Sequence, residues 1–127
     1  MKWEILLNVL MMIESSNNIN IIGDDGQSIG CLQIQEGVIK DVNRIYKRRY
    51  TMDDRYNIQK SKDICRKYLT YWGNKALEET GQEQFTYELL ARIWNGGPRG
   101  YSKDTTVTYW NKFKRISKQM KITEVIE

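Results

Sequence analysis

Apolar residues recur at the helical spacing of about 3.6 residues along most of this chain, and a single stretch breaks the pattern. In residues 2–15, Trp3, Leu7 and Leu10 fall on one stripe, with Leu6 and Ile13 beside it. From Gly37 to about residue 48, Val38, Val42, Ile45 and Tyr46 share a face. A long helix is expected over roughly 60–77 (Ile64, Tyr68, Leu69, Trp72), another over 83–94 (Phe85, Leu89, Leu90, Ile93). A last one over 103–120 turns Val107, Trp110, Phe113 and Met120 inward. Thr51 with Asp54 three residues later reads as a helix start. The exception is residues 19–34, where short apolar runs flank Gly23-Asp24-Asp25-Gly26; Asp-Gly between such runs signals a hairpin. The expected fold class is mostly α (α+β), with about five helices around one core and a small β-hairpin near residues 19–34.

A length of 127 residues implies a single domain, residues 1–127, able to bury a core without staples. With 40% hydrophobic and 28% charged residues and one proline, disordered and collagen-like readings fall away. There is no histidine, which removes the Ser-His-Asp triad, the Cys-His pair and His-based zinc sites. Two cysteines, Cys31 and Cys65, are too few for a disulfide framework or a zinc site, and read as small buried hydrophobes. No metal and no cofactor are expected. Acid–base chemistry must run on Asp, Glu, Lys, Tyr or Cys.

The apolar run Ile5–Ile13 after Lys2 imitates a signal peptide, but Glu4 and Asn8 interrupt it and Ser15-Ser16-Asn17-Asn18 is no cleavage site. It is too short to span a bilayer. The expectation is a core helix, no transmembrane segment, and a protein made in the cytoplasm without a signal peptide.

Glu14 does not fit its surroundings. It lies 4, 7 and 11 residues beyond Leu10, Leu7 and Trp3, on the stripe that faces the core. Desolvation and the negative helix end both favour its neutral form, which is what a general acid needs. The bland alternative is a carboxylate that reaches water or pairs with an arginine. A second carboxylate, Asp24 or Asp25, sits ten or eleven residues later in the glycine-flanked turn, although Asp before Gly is also ordinary turn chemistry. Two carboxyls in unlike environments are the tools of glycoside hydrolysis. Asn95-Gly96-Gly97-Pro98-Arg99-Gly100, between Trp94 and Tyr101, carries more glycine than a helix cap needs and would suit sugar stacking and amide hydrogen bonds; a turn with core aromatics is the alternative.

Three segments together resemble the lysozyme superfamily: Ile13-Glu14-Ser15-Ser16, Gly23–Ile34 with Gly30-Cys31-Leu32-Gln33-Ile34, and Ala91–Gly100 followed by Thr106, Tyr109 and Trp110. The E-S, G-x-x-Q-I and N-x-G pattern is similar to lytic transglycosylases and goose-type lysozymes, and the last segment to invertebrate-type lysozymes and their bacterial and phage relatives. The resemblance covers roughly residues 10–115. It implies a lysozyme-like fold and cleavage of the β-1,4 bond between N-acetylmuramic acid and N-acetylglucosamine in peptidoglycan, with bacterial cell-wall glycan strands as partner. It implies Glu14 as general acid and Asp24, six residues before Gly30, as second carboxylate, with Asp25 the choice if the loop is shifted. Gln33, Asn95 and Gly96 match glycan-contacting positions; Asp25, Ser28, Trp94 and Tyr101 complete the expected binding set. The chain departs from goose-type enzymes at Gln35, where those have an additional aspartate, and from the cysteine-rich secreted animal enzymes. A phage or bacterial muramidase fits better. The lytic transglycosylase route, giving a 1,6-anhydro product, stays open.

A net charge of +4 suits an anionic wall as well as simple solubility. It also suits a rival of another class, a basic helical nucleic-acid-binding protein using Arg44, Lys47, Arg48 and Arg49 with Tyr46 and Tyr50. That reading gives Glu14 no role, so no obligatory nucleic acid is expected, and the expected state is a monomer.

Overall fold

The computed structural model describes residues 1–125. Its helices are α1 (Trp3–Ser15), α2 (Glu36–Tyr46), α3 (Ile58–Thr80), α4 (Tyr87–Gly96) and α5 (Val107–Gln119), and its strands are β1 (Ile22–Gly23) and β2 (Ser28–Ile29). The expected five helices and one small hairpin are therefore present. The chain divides into two compact units: residues 14–68, which are continuous, and residues 1–13 together with the chain from Leu69 onward.

In the continuous unit, β1 and β2 pair antiparallel with Ile22 opposite Ile29 and Gly23 opposite Ser28, and an isolated bridge joins Ile29 to Ile34. The turn is not a two-residue Asp-Gly turn. Asp24–Gly26 form a 3-10 turn in which all three residues have positive φ, at 51°, 55° and 91°. α2 is capped by Lys47, itself left-handed, and the Asn43 side chain closes the exit by exchanging two 2.9 Å hydrogen bonds with the Tyr50 backbone. Thr51 and Asp54 do form a capping box, on the short 3-10 turn Met52–Tyr56 rather than on the long helix. α3 is longer than its sequence signals suggest, because Asn57 caps it earlier: its Oδ1 accepts from the Lys60 N–H at 2.9 Å. Ile29, Leu32, Ile34, Ile39, Val42, Ile64, Tyr68 and both cysteines are the unit's buried apolar side chains among the described residues.

In the other unit, Leu6, Val9 and Leu10 of α1 are fully buried, as are Leu69, Leu90, Ile93 and Phe113. Trp3 meets Phe85 edge-on at 6.0 Å. α4 starts at Tyr87, four residues later than its apolar pattern suggests, because the Thr86 hydroxyl accepts from the Leu89 N–H and caps it. Phe85 lies outside the helix. At its other end α4 runs through Asn95 and Gly96, and the break comes only at Gly97, with φ 88°. α5 begins at Val107 after two 3-10 turns, so Val107 is 42% exposed rather than inward, whereas Phe113 is buried as expected.

Candidate functional site

Glu14 ends α1 in a half-buried position. The next residue anchors it: the buried Ser15 hydroxyl donates to the Cys31 carbonyl at 2.7 Å. The chain then leaves the helix through Ser16 and Asn17, both with positive φ. Cys65 on α3 is fully buried; burial pushes its thiol well above the ordinary range, and the charges of Glu14 and Cys31 push the same way. The Glu14 carboxyl therefore lies within electrostatic reach of an apolar, water-free thiol. Cys31 is also raised by burial, against a hydrogen bond from Ser61. Both cysteines are free thiols.

The second carboxylate has an unlike setting. Asp24 and Asp25 are exposed on the turn. Asp24 Oδ2 accepts from the Ser28 hydroxyl at 2.5 Å, and Ser28 Oγ in turn accepts from Gln35 Nε2 at 3.3 Å. Asp25 makes no side-chain hydrogen bond among the described residues. Ser28 is only 2% exposed, so it acts from behind the turn rather than on its open face.

Gln33 and Arg55 hold this hairpin. Gln33 Nε2 donates to the carbonyls of Gly30 (3.0 Å) and Ile21 (3.2 Å), and its Oε1 takes the space a Cβ at Gly23 would need. Arg55 donates from Nη1 to the carbonyls of Ile34 and Gln27, at 3.1 and 3.3 Å, and from Nε to that of Met52 at 2.8 Å. Arg55, Gln27, Gln35 and Met52 line a cavity of about 540 Å³ that Gly26 and Gly37 leave open. Non-glycine positive φ concentrates here: Ser16, Asn17, Asp24, Asp25 and Gln33, against Lys47 and Lys121 elsewhere among the described residues. Such conformations are disfavoured and gather where function fixes the backbone. Sequence reasoning missed Arg55 altogether and met Gln35 only as a departure, because the bonds by which they hold the hairpin run to residues 28, 21 and seven positions away.

Trp94, Asn95, Gly96 and Tyr101 belong to the other unit. Asn95 is exposed, and Trp94 and Gly96 are half-buried, in the last turn of α4. The glycines there have local causes. A Cβ at Gly100 would collide with the Arg92 carbonyl, and Gly97 needs its positive φ. The buried Thr106 hydroxyl ties the loop, donating towards the carbonyls of Gly100 (2.6 Å) and Lys103 (2.9 Å) and accepting from Arg92 Nε at 2.9 Å. Tyr101 donates its hydroxyl to Glu79, which raises its pKa. Tyr101 also lines a cavity of about 810 Å³ with Phe85, Tyr87, Trp110, Glu88 and Arg92; Trp94, Asn95 and Gly96 do not.

The basic stretch is less bare than its sequence implies. Lys40 pairs with Glu36 and Arg44 with Asp41, each at 3.1 Å, and Asp63 receives Lys67 at 2.8 Å and Arg48 at 4.0 Å. Among the described residues no three His, Cys, Asp or Glu side chains cluster as metal ligands, and no helix is long and apolar enough to cross a membrane.

The chain matches no protein-family model. It is 31% identical over 94 residues to a lysozyme of Ostrea edulis, covering 71% of this chain and 62% of that protein. A 47-residue segment is 38% identical to invertebrate-type lysozyme 6 of Caenorhabditis elegans (37% of this chain, 34% of that protein). Thirty residues are 53% identical to a Meretrix lusoria lysozyme, 24% of this chain and 25% of that one. The chain thus spans less than two thirds of the length of these relatives. In structure it is similar to a chain in the crystal structure of Aeromonas hydrophila PliI in complex with Meretrix lusoria lysozyme, with a TM-score of 0.73 and 26% identity over 90% of this chain and 89% of that one. On this likeness in sequence and in fold, the chain belongs to the lysozyme-like superfamily.

Proposed function

We propose that the chain is a muramidase, a glycosidase that cleaves the β-1,4 bond between N-acetylmuramic acid and N-acetylglucosamine in bacterial peptidoglycan. The observation that carries this reading is the contrast between two carboxyls in one compact unit. Glu14 is half-buried at a helix end within electrostatic reach of the fully buried Cys65, whereas Asp24 is exposed on a strained turn and hydrogen-bonded through one oxygen. Partial burial works against the charged form of a carboxyl, and the protonated form is the one that donates to a leaving glycosidic oxygen. A wet, hydrogen-bonded Asp24 stays available as the charged partner of the oxocarbenium-like centre. Asp24 is preferred over Asp25 because only Asp24 is held by a neighbour. The relatives named lysozyme support the same chemistry. Asp25 and Gln33 are the proposed glycan contacts of this unit, with Gln33 acting chiefly through the hairpin it clamps; Trp94, Asn95, Gly96 and Tyr101 are proposed glycan contacts within the other unit.

In the proposed mechanism Glu14 gives its proton to the bridging oxygen as the bond to the anomeric carbon breaks. Asp24 stabilises the developing positive charge, and water completes hydrolysis. Glu14→Gln preserves shape and removes the acid. The variant is expected to fold with an unchanged circular-dichroism spectrum and to lose at least about 100-fold of its rate of clearing purified cell walls. Lysis by the variant at the wild-type rate overturns the assignment.

A further inference from the structure

We infer that Ser28 and Gln35 are positioning residues, a two-membered relay that fixes one oxygen of the Asp24 carboxylate and leaves the other to meet substrate. The inference rests on the reading of Asp24 as second carboxylate. A serine hydroxyl has one proton and two lone pairs, and an ionised carboxylate only accepts. Gln35 Nε2 can only donate, so its 3.3 Å approach fills a lone pair of Ser28 Oγ. The hydroxyl proton is thereby aimed at Asp24 Oδ2, at 2.5 Å, a separation typical of a charge-assisted bond.

The relay is built into the fold. Ser28 is 2% exposed, and its backbone is in register with Gly23, the residue just before Asp24. Water has little access to compete for the hydroxyl. Asp24 itself is exposed, on a turn of three consecutive positive-φ residues. Without a tether its side chain would sample several rotamers, each with a different direction for the charge. With Oδ2 held, Oδ1 keeps one direction. Such preorganisation matters to catalysis because a charged group that need not reorient stabilises a transition state better.

The test is a set of crossed variants assayed on soluble glycan fragments of cell wall. Ser28→Ala is expected to lower kcat about tenfold with KM changed less than about twofold. Ser28→Thr, which restores a hydroxyl, should recover most of the rate. Gln35→Ala, at an exposed side chain, is expected to lower kcat about threefold and to add no further loss in the Ser28→Ala background. Neither substitution should matter in an Asp24→Asn background. A purely structural role predicts losses in every background, and that result overturns the relay. Should Ser28→Ala fail to fold, Gln35→Ala alone and combined with Asp24→Asn decides the matter: equal losses in both backgrounds overturn it. Asp24→Asn at the wild-type rate overturns the second-carboxylate reading, whereas a crippled Asp24→Asn beside fully active Ser28 and Gln35 variants overturns only the relay.

Discussion

The backbone carbonyl of Arg55 occupies the space that a Cβ at Gly30 would need. Gly30 also has φ 83°, and its N–H donates to the Ile21 carbonyl at 2.8 Å. The hairpin and the turn after α2 can approach each other there only because the side chain is a hydrogen atom. Gly30→Ala combines a left-handed residue with a backbone collision. It is expected to destabilise the protein by at least about 2 kcal/mol, read as a lower urea midpoint at unchanged slope.

Asp24→Asn tests the course of the reaction. Under the hydrolase reading the variant loses at least about 100-fold in rate, and wild-type products carry one added water by mass spectrometry. Wild-type products lacking that water, with Asp24→Asn nearly as fast as wild type, would identify the lytic transglycosylase route instead.

Tyr68 sets an alkaline limit. Burial pushes its phenol up to about 12, with the charges of Asp41 and Cys65 adding to the effect. The folded chain therefore holds this proton more tightly than the unfolded one, whose tyrosines titrate near about 10. Its contribution is whole below about pH 10 and is lost as pH climbs towards about 12. Urea midpoints should fall across that window, and more gently in Tyr68→Phe. An identical pH dependence in the two proteins refutes the account.

Cys31 and Cys65 should resist thiol reagents. Both are almost wholly buried, and burial raises both thiols, so the reactive thiolate is scarce. Labelling at about pH 8 is expected to track global unfolding and to become rapid in urea. Fast labelling of the native protein would show that the ground beside Glu14 is wet, and would weaken the general-acid assignment with it.

The helices were legible because each repeats its apolar residues at one period, and Thr51 with Asp54 was legible because a capping box is local. Asp54 accepts the Thr51 N–H at 2.8 Å, and that bond, with Lys60, holds its carboxyl below the usual range. Glu14 stood out as a carboxylate on an apolar stripe, and it is half-buried. What the sequence hid depends on pairs far apart in the chain. Arg55 reaches Gln27 and Ile34 across 28 and 21 residues, and Ser15 reaches Cys31 across 16. The glycine excess after Trp94 has a local cause that the sequence does not show: Gly97 and Gly100 are required by backbone conformation and by the Arg92 carbonyl.

The two units differ in how the chain supplies them. Residues 14–68 form one from a continuous segment, whereas the other joins residues 1–13 to the chain beyond Leu69. The second unit is therefore closed by contacts between distant parts of the sequence: Trp3 meets Phe85, and the Lys2 N–H meets the Tyr87 hydroxyl. Leu6, Val9 and Leu10 of this short leading part are fully buried in the folded chain. A cut or insertion anywhere in residues 14–68 would thus lengthen the tether between the two parts of that unit, whereas the continuous unit has no such dependence on a distant segment.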